Sequence, residues 1–129
     1  MKIIKRSIYH PPIKNLPEHF EFPQDYLDYV NSNHMGIYPW HFLCDSEPKE
    51  YDEWVRMVKK HYPERALVPF AIWSLLDGRG DLICFEMSKE NFLINVCYLS
   101  SKFTDEEFFV KSFEDWMVAV IQDLREYDK

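Results

Sequence analysis

The chain has 129 residues, of which 47% are hydrophobic and 17% aromatic, and it carries a formal net charge of −7 at pH 7. The aromatic load excludes a disordered chain, which lacks the apolar surface that offsets ordering entropy, and the length suits one domain, residues 1–129, burying roughly two thirds of its unfolded surface. The acids fall in blocks, nine against Lys49 in residues 15–53 and eight against Lys111, Arg125 and Lys129 in 104–129, a field that disfavours direct nucleic-acid binding, which rests on clustered Lys and Arg.

Residues 1–14 are the exception, with Lys2, Lys5, Arg6 and Lys14 and no acid. The opening MKIIKRSIYHPP has no apolar h-region, and no stretch approaches bilayer-spanning length, so no membrane contact and a cytoplasmic location are expected. Pro11, Pro12, Pro17 and Pro23 make the first 23 residues extended or looped. Residues 1–15 therefore read as a basic N-terminal arm or an edge strand.

Pro23 suits the first position of a short helix, QDYLDYVNS, in which Tyr26, Leu27 and Val30 share one face. Ile37 to Cys44 reads as a strand or an extended segment, and Pro39 argues for an edge position. Ser46, Lys49 and Glu50 lead into a helix with Tyr51, Trp54, Val55, Val58 and Tyr62 at helical spacing. Lys59, Lys60 and His61 fill its last turn and Pro63 ends it. The runs ALVPFAIW, LICFEM and NFLINVCYL, separated by short polar connections, predict the centre of an antiparallel sheet. SFEDWMVAVIQDLREYD closes the chain as a long amphipathic helix. Ser112 is its N-cap with Asp115 three residues on, and Phe113, Trp116, Met117, Val120, Ile121 and Leu124 form one stripe. The fold class is therefore α+β, a central mainly antiparallel sheet packed against helices.

Catalytic patterns are scarce. Gly78 and Gly80, two of only three glycines, stand in DGRGDLICF without the spacing of a Walker loop or a dinucleotide fingerprint, so they read as a turn feeding a strand. No nucleophile elbow can be written. The five histidines show no HExxH arrangement and the three cysteines no CxxC, so neither metal nor cofactor is expected. Cys84 and Cys97 lie in apolar runs and read as buried thiols. His41 and Cys44 are close in sequence, but three positions apart in a strand they point to opposite faces. Asp105, Glu106 and Glu107 read as a solvated connection, and Arg79-Gly80-Asp81 as part of the turn.

Four blocks in order carry a resemblance: Phe22, Pro23, Asp25, Tyr26, Tyr29 and Asn31; Pro69, Phe70 and Ala71; DGRGDLICFEM; and Ser112 to Trp116. Together they resemble the SUKH superfamily, which includes a fungal cell-wall-synthesis regulator and many bacterial immunity proteins. The chain departs from that pattern in having Asn31, Ser32 and Asn33 where Asn-Gly-Gly is usual, and in a longer segment between Pro69 and Asp77. The resemblance implies a noncatalytic, monomeric or weakly dimeric protein that occludes a cognate toxin, commonly a nuclease or deaminase. Such a toxin presents a basic cleft that an acidic partner finds quickly by electrostatic steering. The expected binding surface is Asp45, Glu47, Glu50, Asp52 and Glu53, with Trp73, Asp77 and Arg79 near the turn as anchors. Two other readings compete: a housekeeping regulatory scaffold of the same fold binding a cellular protein, and a small enzyme using Cys44 or the Asp105, Glu106, Glu107 cluster.

Overall fold

The computed structural model describes residues 8–32, 40–73, 81–99 and 109–127. Within them lie α1 (Gln24–Asn31), β1 (Trp40–Phe42), α2 (Pro48–His61), β2 (Ala66–Trp73), β3 (Leu82–Met87), β4 (Ile94–Leu99), β5 (Phe109–Val110) and α3 (Phe113–Tyr127), with 3-10 turns at Ile13–Asn15 and Leu43–Asp45. The five strands form one sheet in the order β1-β2-β3-β4-β5, every neighbouring pair antiparallel. The three apolar runs are its centre, as the sequence predicts, and the class is α+β. Asn91 to Leu93 belong to the turn before β4, not to the strand.

Register assigns the faces. Val68, Phe70, Phe85, Met87 and Val96 lie on one side, packed with Tyr26 and Val30 of α1 and Phe113, Trp116 and Val120 of α3. Leu67, Leu82, Cys84, Cys97 and Leu99 lie on the other, closed by Val58 of α2 with Trp54 and Tyr62. Tyr51 and Val55, from the first half of α2, join the α1/α3 side instead. The second helix thus wraps the sheet margin where β1 is only three residues long.

Pro69 sits inside β2, a central strand, where a missing N–H normally breaks the ladder. The register shifts between Pro69 and Ala71, so Phe70 is an extra residue, and both Phe70 and Ala71 face the α1/α3 core. The Pro69 carbonyl accepts a hydrogen bond of 2.6 Å from the buried Tyr51 hydroxyl. Phe70 stacks on Phe85 with ring centroids 4.1 Å apart and meets Trp116 edge-on at 5.2 Å. Tyr26, fully buried, makes edge contacts with Phe42, Phe70, Phe85 and Phe113. Aromatic pairs of this kind contribute about 0.5–1.5 kcal/mol each beyond burial.

Helix boundaries follow local chemistry. Pro23 is the extended N-cap of α1 rather than its first turn. Pro48 occupies the first turn of α2, where its absent N–H costs nothing. Ser112 caps α3 through a hydrogen bond of 3.1 Å from the Asp115 N–H, and the Glu114 N–H donates at 3.2 Å to Asp25 of α1. The stripe on α3 is narrower than its sequence pattern, since Ile121 is 42% exposed. Of the arm, residues 8–15 form no strand; Ile8 and Tyr9 pack on the core, and Lys14 is exposed.

Two outcomes follow. Tyr51→Phe leaves the Pro69 carbonyl buried and unmatched, so urea unfolding should show a loss of about 1–3 kcal/mol; an unchanged midpoint would remove that bond's role. His10, whose Nε2 lies 2.9 Å from the Tyr26 hydroxyl, has its pKa lowered by burial. The unfolded chain then binds the proton more readily, so the His10 contribution is complete above the unfolded pKa of about 6.5 and is lost as pH falls through it toward the folded value. His10→Gln should flatten the decline in stability between about pH 7 and pH 5; an identical pH profile would refute the assignment.

Candidate functional site

The acidic block expected from the sequence gathers around the start of α2. Asp45 is half-buried in the 3-10 turn before it, and Glu47, Glu50 and Glu53 are exposed. Glu47 is the N-cap of the helix, and Glu50 and Glu53, three residues apart, lie outside the buried face formed by Tyr51, Val55 and Val58. Glu50 gains from the helix dipole in the first turn. Glu53, a turn later, has no such gain and repels Glu50 by about 0.2–0.5 kcal/mol. Lys49 and Arg56 stand at i−4 and i+3 from Glu53 on the same helix, and the ridge presents its carboxylates to solvent on a rigid element.

Asp52 has a different job. It accepts both contacts of the Tyr9 hydroxyl, at 2.8 and 2.9 Å. That hydrogen bond, with burial and the carboxylate charge behind it, holds Tyr9 above its ordinary pKa. The Tyr9 N–H donates to the Cys44 carbonyl at 3.0 Å, and the Tyr9 ring meets Tyr51 edge-on at 6.3 Å. This tie fastens the segment before α1 to the foot of the acidic ridge. No local pattern reveals it, because Tyr9 and Asp52 are 43 positions apart.

Trp73 ends β2 opposite Trp40 of the edge strand. Asp77 and Arg79 lie outside the described residues, as do Asp105, Glu106 and Glu107. Asp81, the acid of the Arg-Gly-Asp tripeptide, accepts a hydrogen bond from the Tyr98 hydroxyl on β4. The structure thus brings Asp45, Glu47, Glu50, Asp52 and Glu53 together on one turn and one helix.

The expectation that His41 and Cys44 share a strand is corrected. β1 ends at Phe42, and Cys44 lies fully buried in the following 3-10 turn. His41 Nε2 is instead 2.8 Å from the Ser46 hydroxyl. Cys84 and Cys97 are register partners across β3 and β4, also buried. Among the described residues no group of three or more His, Cys, Asp or Glu side chains is placed to hold a metal ion. Nor is any helix among them long and apolar enough to cross a membrane.

Comparisons with protein-family models, curated proteins and solved structures found no match.

A water-soluble thiol reagent mixed with the native chain should label Cys44 no faster than the protein unfolds, because all three thiols are buried. Rapid single-site labelling of Cys44 would revive a nucleophilic role for it.

Proposed function

We propose that the protein is a noncatalytic binding module that neutralises a cognate toxin, of nuclease or deaminase type, by covering its positively charged cleft. One observation carries the reading: exposed Glu47 at the N-cap and exposed Glu50 and Glu53 on α2 line the outer surface of a helix whose Tyr51, Val55 and Val58 are buried. Carboxylates on a helix repeat along one direction, as phosphates do along a nucleic-acid backbone, and lose little backbone freedom on docking. The blocks shared with the SUKH superfamily, Phe22 to Asn31, Pro69 to Ala71, DGRGDLICFEM and Ser112 to Trp116, support the same reading and a cytoplasmic site of action. The net charge of −7 adds long-range attraction for a basic partner.

Binding through this ridge makes association, more than dissociation, sensitive to salt. The test is co-expression with the product of the adjacent gene, purification of the complex, and stopped-flow association at rising ionic strength. Between about 20 and about 150 mM salt the association rate should fall roughly tenfold while dissociation holds nearly constant. The triple variant Glu47→Lys, Glu50→Lys and Glu53→Lys should slow association further while lowering stability by about 1 kcal/mol at Glu50, where the helix dipole opposes a cation, and by no more than about 0.5 kcal/mol at each other site. A salt-insensitive association rate, or an unaffected triple variant, would overturn the reading.

A further inference from the structure

The sheet face covered by α1 and α3 is left open at one end. There a cleft of about 210 Å3 runs between the starts of the two helices and the β3–β4 turn. It is lined by buried Phe85, Val96 and Phe113, by exposed Phe92 and Leu93, and by Asp25 and Ser112 at the helix starts. The volume is below the roughly 300–1,000 Å3 of small-molecule sites, which favours a single inserted side chain over a metabolite.

Two observations set this exposed pair apart from ordinary surface. Phe92 is 50% exposed and Leu93 is 65% exposed, side by side just after the polar turn Lys89–Asn91, where the Leu93 carbonyl closes the turn by accepting from the Ser88 N–H. Phe92 also has φ of 58°, the left-handed region, where a bulky residue costs on the order of 1 kcal/mol against Gly. His19, with φ of 69°, stacks on it at 4.9 Å. Asn or Gly at position 92 would relieve the strain, so the turn holds an aromatic ring at the mouth of the cleft at the expense of stability.

Charge decides the occupant. Asp25, Glu114 and Asp115 surround the helix starts. The two dipoles contribute about half a positive charge each and exposed Lys111 one more, leaving roughly one negative charge at the helix starts. Lys89 and Glu90 in the turn cancel. Asp25 accepts one hydrogen bond on each oxygen, from the Tyr26 and Glu114 N–H groups, and a carboxylate has room for about two more. An aromatic trough ending in a carboxylate with spare acceptor sites complements an arginine, whose stem is apolar and whose flat guanidinium both stacks on rings and bonds carboxylates. We propose that this cleft is a second docking site, separate from the α2 ridge, that takes one arginine side chain of a partner protein, with Phe92 and Leu93 packing on its stem.

The test uses the whole chain. A random seven-residue peptide library displayed on phage is selected on the immobilised protein, and the enriched peptide is synthesised with a fluorophore for polarisation titrations. Enrichment of an arginine beside apolar residues is expected, with at least a tenfold loss of affinity when citrulline replaces that arginine. Asp25→Asn, which keeps an acceptor for the Glu114 N–H, and Phe92→Asn, which suits the left-handed backbone, should each weaken binding about tenfold. Should Phe92→Asn fail to fold by circular dichroism, Leu93→Ser replaces it. The Glu47, Glu50, Glu53 to Lys triple variant should bind the peptide within about twofold of the parent, so failure of the ridge reading leaves this result intact. No enrichment, enriched peptides without arginine, or affinity indifferent to Asp25 and Phe92 would overturn the proposal.

Discussion

A proline in the middle of a sheet is the constraint from which the rest of the packing follows. Pro69 offers no N–H to the ladder, so β2 cannot run regularly past it, and the extra residue that results is Phe70. The bulge turns Phe70 and Ala71 to the same face, seating one large ring beside one small side chain where Trp116 and Phe113 come down. It also leaves the Pro69 carbonyl to a side chain, and the Tyr51 hydroxyl takes it. One backbone irregularity thereby fixes where α2 meets the sheet margin and where α3 lies across its face.

The same fixing determines how the surface is charged. With Tyr51 held against β2, the opposite side of α2 carries Glu50 and Glu53 into solvent, while Asp52, on the flank, is drawn down to Tyr9. On the other side of the sheet the bidentate Arg65–Glu86 pair, 2.7 Å at both contacts, ties the residues after α2 to β3. Arg65 also lies 5.3 Å from the centre of the Tyr62 ring. This ion pair engages Arg65, while Glu47, Glu50 and Glu53 are exposed at the start of α2.

Periodicity made the large elements legible. The helical spacing of Tyr51, Val55 and Val58, the continuous apolar runs of β2 and β3, and the Ser112 cap each reflect a local rule that the folded chain obeys. The failures are non-local. Cys44 reads as strand because its neighbours are apolar, yet it turns away because β1 meets the bulged half of β2 for only three residues. Ile121 fits the stripe on α3 but lies beyond what the sheet covers. Of the candidate site, the acids were visible as a cluster, whereas the diversion of Asp52 to Tyr9 depends on a contact that no spacing encodes. The cleft at Phe92 was equally hidden, because its lining comes from four separate stretches of chain.

The bond from the Glu114 N–H to Asp25 spans 89 positions, and its consequence lies in the order of synthesis. Strands β1 to β4 and α1 leave the ribosome well before α3, so Phe70 and Phe85 have only α1 and the segment before it to cover them until residues 113–120 emerge. At ~5–20 residues per second the interval from Phe85 to Val120 is ~2–7 s. During that time the half of the aromatic face that Phe113 and Trp116 later cover stays open to water.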